Sequence, residues 1–504
     1  MRKNATVIGG GVNGLVAANV LARAGWKVDL LERKPRIGGA CTSETHVIDG
    51  RPHEYPLGAT VLGMMQDFVL KETGLAERLT LYAPRHPKMA RYPSLKDPVM
   101  IWRDPRRLRR EFSEKFGEHG AVDAFRVDEA RLISLLQDGF RRGHPPDLRE
   151  TADALGADLT RLWVTGSAKA LLDHYFTDDR TKLYMGMTAI ESGPVPIDSP
   201  MSAFTIPLMD SGNVFGGYWG FVKGGIWKLT ETLARIDREL GVRIVTDARV
   251  ECVDAAAGTV AYRAGDGRDV TAKADHVVFA TDPRTASELC GDAGLTAGKR
   301  FLGSSGKVVM VFRKPIRWKD ATGRPDHAAS FKFIFAHDRL DTLDASSQAA
   351  AAGQDYVPGY YQIYCEGAAA RAMGENPSHD RIIVFFKNLA FNRQGDELDH
   401  VREDVVGRVL ATVANPRDLA WSRLLTPRDL QREFYFPEGN IDHAMLCDGQ
   451  QYMARTYAAQ PSEGFYRFGS APNVWYCGAG AYPCGSVAGT PGWMCAREIL
   501  RRTR

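Results

Sequence analysis

One stretch near the start narrows what this chain can fold into more than any other. Ala5-Thr6-Val7-Ile8 is a short apolar strand-like run that stops at the glycines Gly9, Gly11 and Gly14 and passes into a helical pattern through Leu15, Val20 and Leu21 to Gly25. Lys27 to Leu31 then reads as a second strand, ending at Glu32. Strand, helix and strand in that order make a βαβ unit, with a right-handed crossover and parallel strands. Gly9 allows the tight turn, Gly11 lets backbone approach a pyrophosphate, and Gly14 lets helix pack on strand. The helix start, at Val12 and Asn13, offers unpaired N–H groups to phosphate charge. Glu32 lies 18 residues beyond Gly14, where an acidic side chain accepts hydrogen bonds from ribose hydroxyls. A dinucleotide ligand is the expectation.

The rest of the composition excludes other classes. With 504 residues, 44% hydrophobic and 25% charged, the chain is long enough for two or three domain-sized units with a large core. The balance of 65 Lys and Arg against 61 Asp and Glu leaves +4, too weak a bias for nucleic-acid binding. Eight cysteines (Cys41, Cys252, Cys290, Cys365, Cys447, Cys477, Cys484, Cys495) are scattered without a C-x-x-C pair, so neither a disulfide framework nor a metal site is expected. Met-Arg-Lys-Asn leads straight into the first strand, with no room for a signal peptide, and no apolar run approaches the roughly 18 residues of a membrane span. The expected location is cytoplasmic. Arg106, Arg107, Arg109 and Arg110, after Asp104-Pro105, leave peripheral contact with a membrane surface as one reading. Residues 101–150 hold 11 Lys and Arg against 10 Asp and Glu, which favours a solvated helix face.

The segment after Glu32 indicates which dinucleotide. Arg33, Arg36 and then Gly38-Gly39-Ala40 follow at once, and a plain nicotinamide enzyme does not need a second glycine pair so soon. Here the sequence resembles the FAD-dependent amine oxidase and phytoene desaturase superfamily, which places such a turn along the pyrophosphate and isoalloxazine. The resemblance implies a non-covalent FAD against Arg33, Arg36, Gly38, Gly39 and Ala40. Two distant blocks are similar to the same family. Gly224-Gly225, a helical face through Ile226, Leu229, Leu233 and Ile236, and strands at Val242–Val245 and around Val250 look like its second βαβ segment, with Val250 where the family holds adenine through backbone groups. Residues 274–283 look like its returning strand.

Residues 474–496 carry the most specific resemblance, running from a strand through Gly478 and Gly480, across Gly485, Ser486 and Val487, into a last helix. A helix start carries roughly half a positive charge. Aimed at flavin N1 and the C2 carbonyl, it stabilises the charge of the reduced ring. The block matches the phytoene desaturase branch nearly residue by residue. Amine oxidases carry an acid or a Glu-Thr-Ala signature there, and Ala479 departs from both. Gly439-Asn440-Ile441-Asp442-His443 resembles a motif of the phytoene dehydrogenase-like subgroup named after pyridine nucleotide-disulfide oxidoreductase domain-containing protein 2. Neither a redox C-x-x-C nor a second glycine fingerprint is present, so no second nicotinamide site is expected.

The resemblance implies an α/β fold: a Rossmann-type, glutathione reductase-like FAD-binding domain from residues 1–85, 214–300 and 455–504, plus an α+β substrate domain from 86–213 and 301–454. It implies an oxidoreductase passing hydride from a small-molecule C–H bond to flavin N5, with desaturation of an apolar or partly unsaturated compound as the leading reaction. The alternatives are an amine oxidase, a redox-neutral FAD isomerase and a non-enzymatic prenyl or lipid escort. A side-chain base is optional for such chemistry. His443 is the first candidate, with Glu54 and His53 behind it, against the competing reading of a buried histidine bonded to backbone. Phe215, Tyr218, Trp219 and Phe221, then Phe331, Phe333 and Phe335, then Tyr360, Tyr361 and Tyr364 are candidates for a pocket, though core filling is the usual use of such stripes.

Overall fold

The computed structural model describes residues 3–85, 87–320, 325–393 and 398–503. Its first sheet is five-stranded and parallel, in the order Val474–Tyr476, His276–Phe279, Asn4–Ile8, Lys27–Leu31, Arg243–Val245. Asn4–Ile8 is central, with Val7 opposite Val278 on one side and Leu30 on the other. A parallel sheet is covered on both faces, which explains the unbroken burial of Ala5 to Ile8. Helix Val12–Arg23 lies between helices Trp227–Glu239 and Thr490–Arg502, and is buried without interruption from Gly14 to Ala22. Such all-round burial explains why its sequence lacks a polar face.

The second sheet has seven strands in the order Leu419–Leu425, Gly306–Phe312, Asp380–Phe386, Tyr360–Tyr364, Lys332–Phe335, Lys88–Arg91, Val99–Ile101. Pairing is antiparallel except between Lys332–Phe335 and Lys88–Arg91. Strand Gly306–Phe312 shows the period-two division: Val308, Met310 and Phe312 pack with Val401, Val405 and Val409 of helix Asp399–Leu410, while Val309 and Val311 join the main core. All strands of the first sheet fall within 1–85, 214–300 and 455–504, and all strands of the second within the intervening segments. The hairpin Ser43–Ile48 and Arg51–Pro56 bridges the two, because Arg423 donates to Glu44 at 2.7 Å and to the Tyr55 hydroxyl at 2.6 Å, and Arg313 pairs with Asp49 at 2.8 Å.

The aromatic stripes mostly fill core. Phe335 stacks on Tyr92 at 4.8 Å, Phe333 meets Tyr184 edge-on at 5.7 Å, and Phe331 lies 5.3 Å from Phe221. The basic turn is partnered within the fold: Asp104 caps helix Pro105–Phe116 by accepting from the Arg107 N–H at 2.9 Å, Arg107 lies over the Trp102 ring, and Arg109 pairs with Asp123. Among the described residues, no helix is long and apolar enough to cross a membrane.

One buried carboxyl ties the helices flanking the first sheet. Asn19 donates to Asp237 Oδ1 at 2.7 Å, Oδ2 has no partner, and burial raises this carboxyl from 3.8 to about 8. A raised carboxyl favours the fold fully below its unfolded value, and that contribution is lost as pH rises through the folded value. Asp237→Asn should therefore flatten the fall in stability between about pH 4 and 8, measured by urea denaturation across that range. An unchanged fall in the variant contradicts this assignment.

Candidate active site

The carboxyl ends of the first sheet open into a groove of about 320 Å³ lined by the Gly9–Asn13 turn, Glu32 to Lys34, the Gly38–Thr42 turn, Val250 and the Gly485–Ala488 loop. Its geometry follows from glycines in close contact. A Cβ on Gly14 would stand 2.0 Å from the Gly9 carbonyl oxygen, so Gly14 serves helix–strand packing and does not line the groove. Gly39, at φ +55°, would place a Cβ 3.0 Å from Gly11 Cα, and the Gly38 N–H donates to the Gly10 carbonyl at 2.8 Å. Two glycine turns thus face each other with no side chain between them. Glu32 Oε2 accepts from the Gly10 N–H at 2.7 Å and Oε1 from the Lys34 N–H at 2.9 Å, which fixes the carboxylate while each oxygen keeps a lone pair for a ligand. Arg33 stacks on Tyr435, and Arg36 and Val250 complete that end.

At the other end, Ser486 and Val487 adopt left-handed backbone, φ 54° and 58°, just before Gly489 caps helix Thr490–Arg502. Left-handed backbone at a non-glycine residue costs roughly 1–3 kcal/mol and concentrates at functional sites. Gly478 and Gly480 do not reach the groove. The Tyr476 hydroxyl stands 2.7 Å from where a Cβ on either would be, so both let Tyr476 pack beneath the turn and set Ala479 at the wall. Cys477 and Cys484 are buried and line neither cavity described here.

His443 lines the groove in left-handed backbone, φ 61°, with its ring 5.0 Å from that of Phe436. The Thr281 backbone holds one side of the ring, Nδ1 has no protein partner, and burial lowers its pKa, keeping the ring neutral. Asp442 Oδ1 accepts from the Gly485 N–H at 3.0 Å, and buried Arg455 donates to the carbonyls of Asp442 at 2.9 Å and Ala479 at 3.0 Å. Sequence reading had not singled out Arg455, whose signal lies only in the tertiary contacts. Glu54 is placed away from this chemistry. Strand alternation turns it outward, where it accepts from the Ser43 hydroxyl at 2.6 Å and lines neither cavity. His53 faces inward against Arg381, and burial lowers it to about 4.

A chamber of about 130 Å³ adjoins the groove, the two sharing Ala40, Phe436, Ile441, Ser486 and Val487. Of the aromatic candidates only Trp219 and Tyr364 line it. It also exposes two ionisable groups that sequence reading missed, Glu191 and Lys307. Lys307 donates to the carbonyls of Pro56 at 2.6 Å and Gly58 at 2.8 Å, and burial pushes it down to about 7. Burial raises Glu191, whose Oε2 accepts from the Tyr360 hydroxyl at 3.2 Å and whose Oε1 lies 3.8 Å from Lys387. A lone lysine in the apolar run Lys307-Val-Val-Met-Val-Phe312 was the legible signal. Among the described residues, no group of three or more His, Cys, Asp or Glu is placed to hold a metal.

Residues 13–361 match the family described as Flavin containing amine oxidoreductase. The chain belongs to that family. Pyridine nucleotide-disulfide oxidoreductase domain-containing protein 2 of Mus musculus is 25% identical over 99% of this chain and 93% of its own. Hydroxyneurosporene desaturase of Cereibacter sphaeroides is 30% identical over 57% of each chain. Among solved structures, wild-type putrescine oxidase with putrescine bound covers 100% of this chain and 99% of its own, with TM-score 0.60 and 15% identity, a likeness of fold. The protein is an FAD-dependent oxidoreductase of the amine oxidase and carotenoid desaturase superfamily. The groove suits such a cofactor: the facing glycine turns leave a slot a Cβ would fill, and Asn13 Oδ1 and His443 Nδ1 are buried polar atoms without protein partners.

Lys307 gives a pH signature. In the fold it releases its proton near pH 7, against 10.5 for an unperturbed lysine, so between those values the unfolded chain binds the extra proton and stability rises with pH. Lys307→Met should remove that rise, read as the difference between wild type and variant in urea denaturation at about pH 7 and about pH 9. Parallel stability curves for the two proteins would refute a depressed Lys307.

Proposed function

We propose that this enzyme binds FAD non-covalently along the groove and dehydrogenates a small molecule held in the chamber. The observation that carries the reading is the continuity of the two cavities through Ala40, Ser486 and Val487, next to the start of helix Thr490–Arg502. When bound, FAD supplies a two-electron oxidant that accepts hydride from a C–H bond. Glu32 would accept the ribose hydroxyls, with Arg33 and Val250 beside the adenosine. Gly9, Gly11, Val12 and Asn13 would cradle the pyrophosphate from one side and Arg36, Gly38, Gly39 and Ala40 from the other. Gly485, Ser486 and Val487 would present the helix start to the ring, where its partial positive charge favours the reduced form. Gly14, Gly478 and Gly480 act one step removed, by packing.

His443 faces the groove rather than the chamber, so we read it as a neutral group touching the cofactor. Glu191 and Lys307 are the ionisable groups facing substrate space. Trp219, Phe385, Leu430 and Phe436 supply apolar wall to the same chamber. Desaturation or dehydrogenation of a small molecule is favoured over amine oxidation by the C-terminal loop, where Ala479 stands in place of an acid.

The purified protein should be yellow and should release FAD on denaturation. Glu32→Ala, which also strands the Gly10 and Lys34 N–H groups, should weaken FAD binding at least about tenfold, since charge-assisted hydrogen bonds of this kind contribute about 1.5–3 kcal/mol. Flavin fluorescence titration of the apoprotein measures it. Unchanged affinity in the variant, or an apoprotein that takes up NADH and no FAD, overturns the reading.

A further inference from the structure

The chamber has two unlike linings. Val61, Trp219, Phe385 and Leu430 are its apolar lining, whereas Glu191, Ser305 and Lys307 are its polar one, Glu191 and Ser305 being joined through Lys387. The polar lining is held in place from behind. Lys387 donates to Ser305 Oγ at 2.8 Å and to the Glu191 carbonyl, and its ammonium lies 3.8 Å from Glu191 Oε1. One ammonium therefore joins the carboxyl and the hydroxyl, leaving the Ser305 proton to point to a ligand. The next residue, Ser192, is clamped: its carbonyl accepts from Asn440 Nδ2 and its hydroxyl accepts from the Leu446 N–H at 3.0 Å. Asn440 belongs to the Gly-Asn-Ile-Asp-His segment, so that segment fixes Glu191 as well as His443.

Charge decides what this wall accepts. Glu191 has its partner in the Lys387 ammonium, 3.8 Å away, and the Lys307 amine is taken up by the carbonyls of Pro56 and Gly58, so neither group is free to pair with a charged substrate. A substrate ammonium or carboxylate would add an uncompensated charge to a buried site, which costs several kcal/mol. A hydrocarbon there would leave the Ser305 hydroxyl proton, which the Lys387 contact does not use, without a ligand acceptor. A neutral hydroxyl suits Glu191 and Ser305 together, donating to the carboxyl and accepting from the serine.

We propose that Glu191 and Ser305 form a recognition site for a neutral hydroxyl, and that the substrate is a largely apolar small alcohol rather than an amine or a plain hydrocarbon. The proposal rests on the flavin reading above, because the chamber faces a ligand only if FAD fills the groove beside it.

The test uses the FAD-loaded enzyme titrated with benzyl alcohol, benzylamine and toluene, with the flavin absorbance difference spectrum as readout. Benzyl alcohol should bind saturably and at least about ten times more tightly than either analogue, in line with the discrimination expected from a site built to bond a hydroxyl. Glu191→Gln and Ser305→Ala should each weaken benzyl alcohol by about fivefold or more and leave toluene unchanged, as loss of one hydrogen bond implies. Equal or tighter binding of benzylamine or toluene, no spectral change with any probe, or both variants binding benzyl alcohol like wild type overturns the proposal while a yellow protein leaves the flavin reading standing. A protein that takes up no FAD overturns both.

Discussion

The carboxylate of Glu32 is the point on which the rest of the molecule depends. By accepting from the N–H groups of Gly10 and Lys34 it joins the turns after the first and second strands, and so sets the floor of the groove. The Gly38 N–H, bonded to the Gly10 carbonyl, brings the second glycine turn against the first. At three contact points a glycine stands where a side chain would collide with backbone: Gly14 against the Gly9 carbonyl, Gly39 against Gly11 Cα, and Gly38 against the Cys41 carbonyl. A slot shaped in this way has little use in an empty protein, and its cost in backbone strain and buried polar atoms is offset by a ligand that fills it.

The second sheet contributes function through its buried charges. Lys307 sits on strand Gly306–Phe312 and Lys387 just beyond its antiparallel neighbour Asp380–Phe386, two strands rich in valine, isoleucine and phenylalanine. Lys307 is satisfied by carbonyls, and Lys387 by a carbonyl and a hydroxyl with the Glu191 carboxyl 3.8 Å away. Buried amines held this way are costly for stability and informative about chemistry, because apolar replacements would pack the same space without the desolvation penalty. Arg455 plays a structural counterpart: its guanidinium gathers the carbonyls of Asp442, Ala444, Gln450, Ala479 and Ala481 and so locks the motif loop to the loop before the last helix.

Much of the first sheet was legible because its signals are local. Ala5 to Glu32 announces strand, turn, helix and strand within one short window, and the last helix is announced by the Pro-Gly loop before it. Glu54 and His53 illustrate the limit. They are candidates because the family resemblance brings their segment toward the flavin, but the hairpin's alternation and its salt bridges to the second sheet turn one outward and lock the other beside Arg381. Glu191 and Lys307 are hard to read for the opposite reason, Lys307 offering only its place in an apolar run. Each is a lone charge in an ordinary-looking segment, brought to one chamber by contacts between residues more than a hundred positions apart. The aromatic stripes were ambiguous by nature, since the same period-two pattern fills a core or lines a cavity, and only Trp219 and Tyr364 fall on the cavity side.

One groove, assembled from the start, middle and end of the chain, would hold a single intact FAD. Native mass spectrometry of the freshly purified protein tests it most directly. One added mass equal to FAD per chain is expected, lost on acid treatment and absent when the Gly39 slot is closed by Gly39→Val. A chain carrying no such mass, or the mass of a nicotinamide dinucleotide instead, contradicts it.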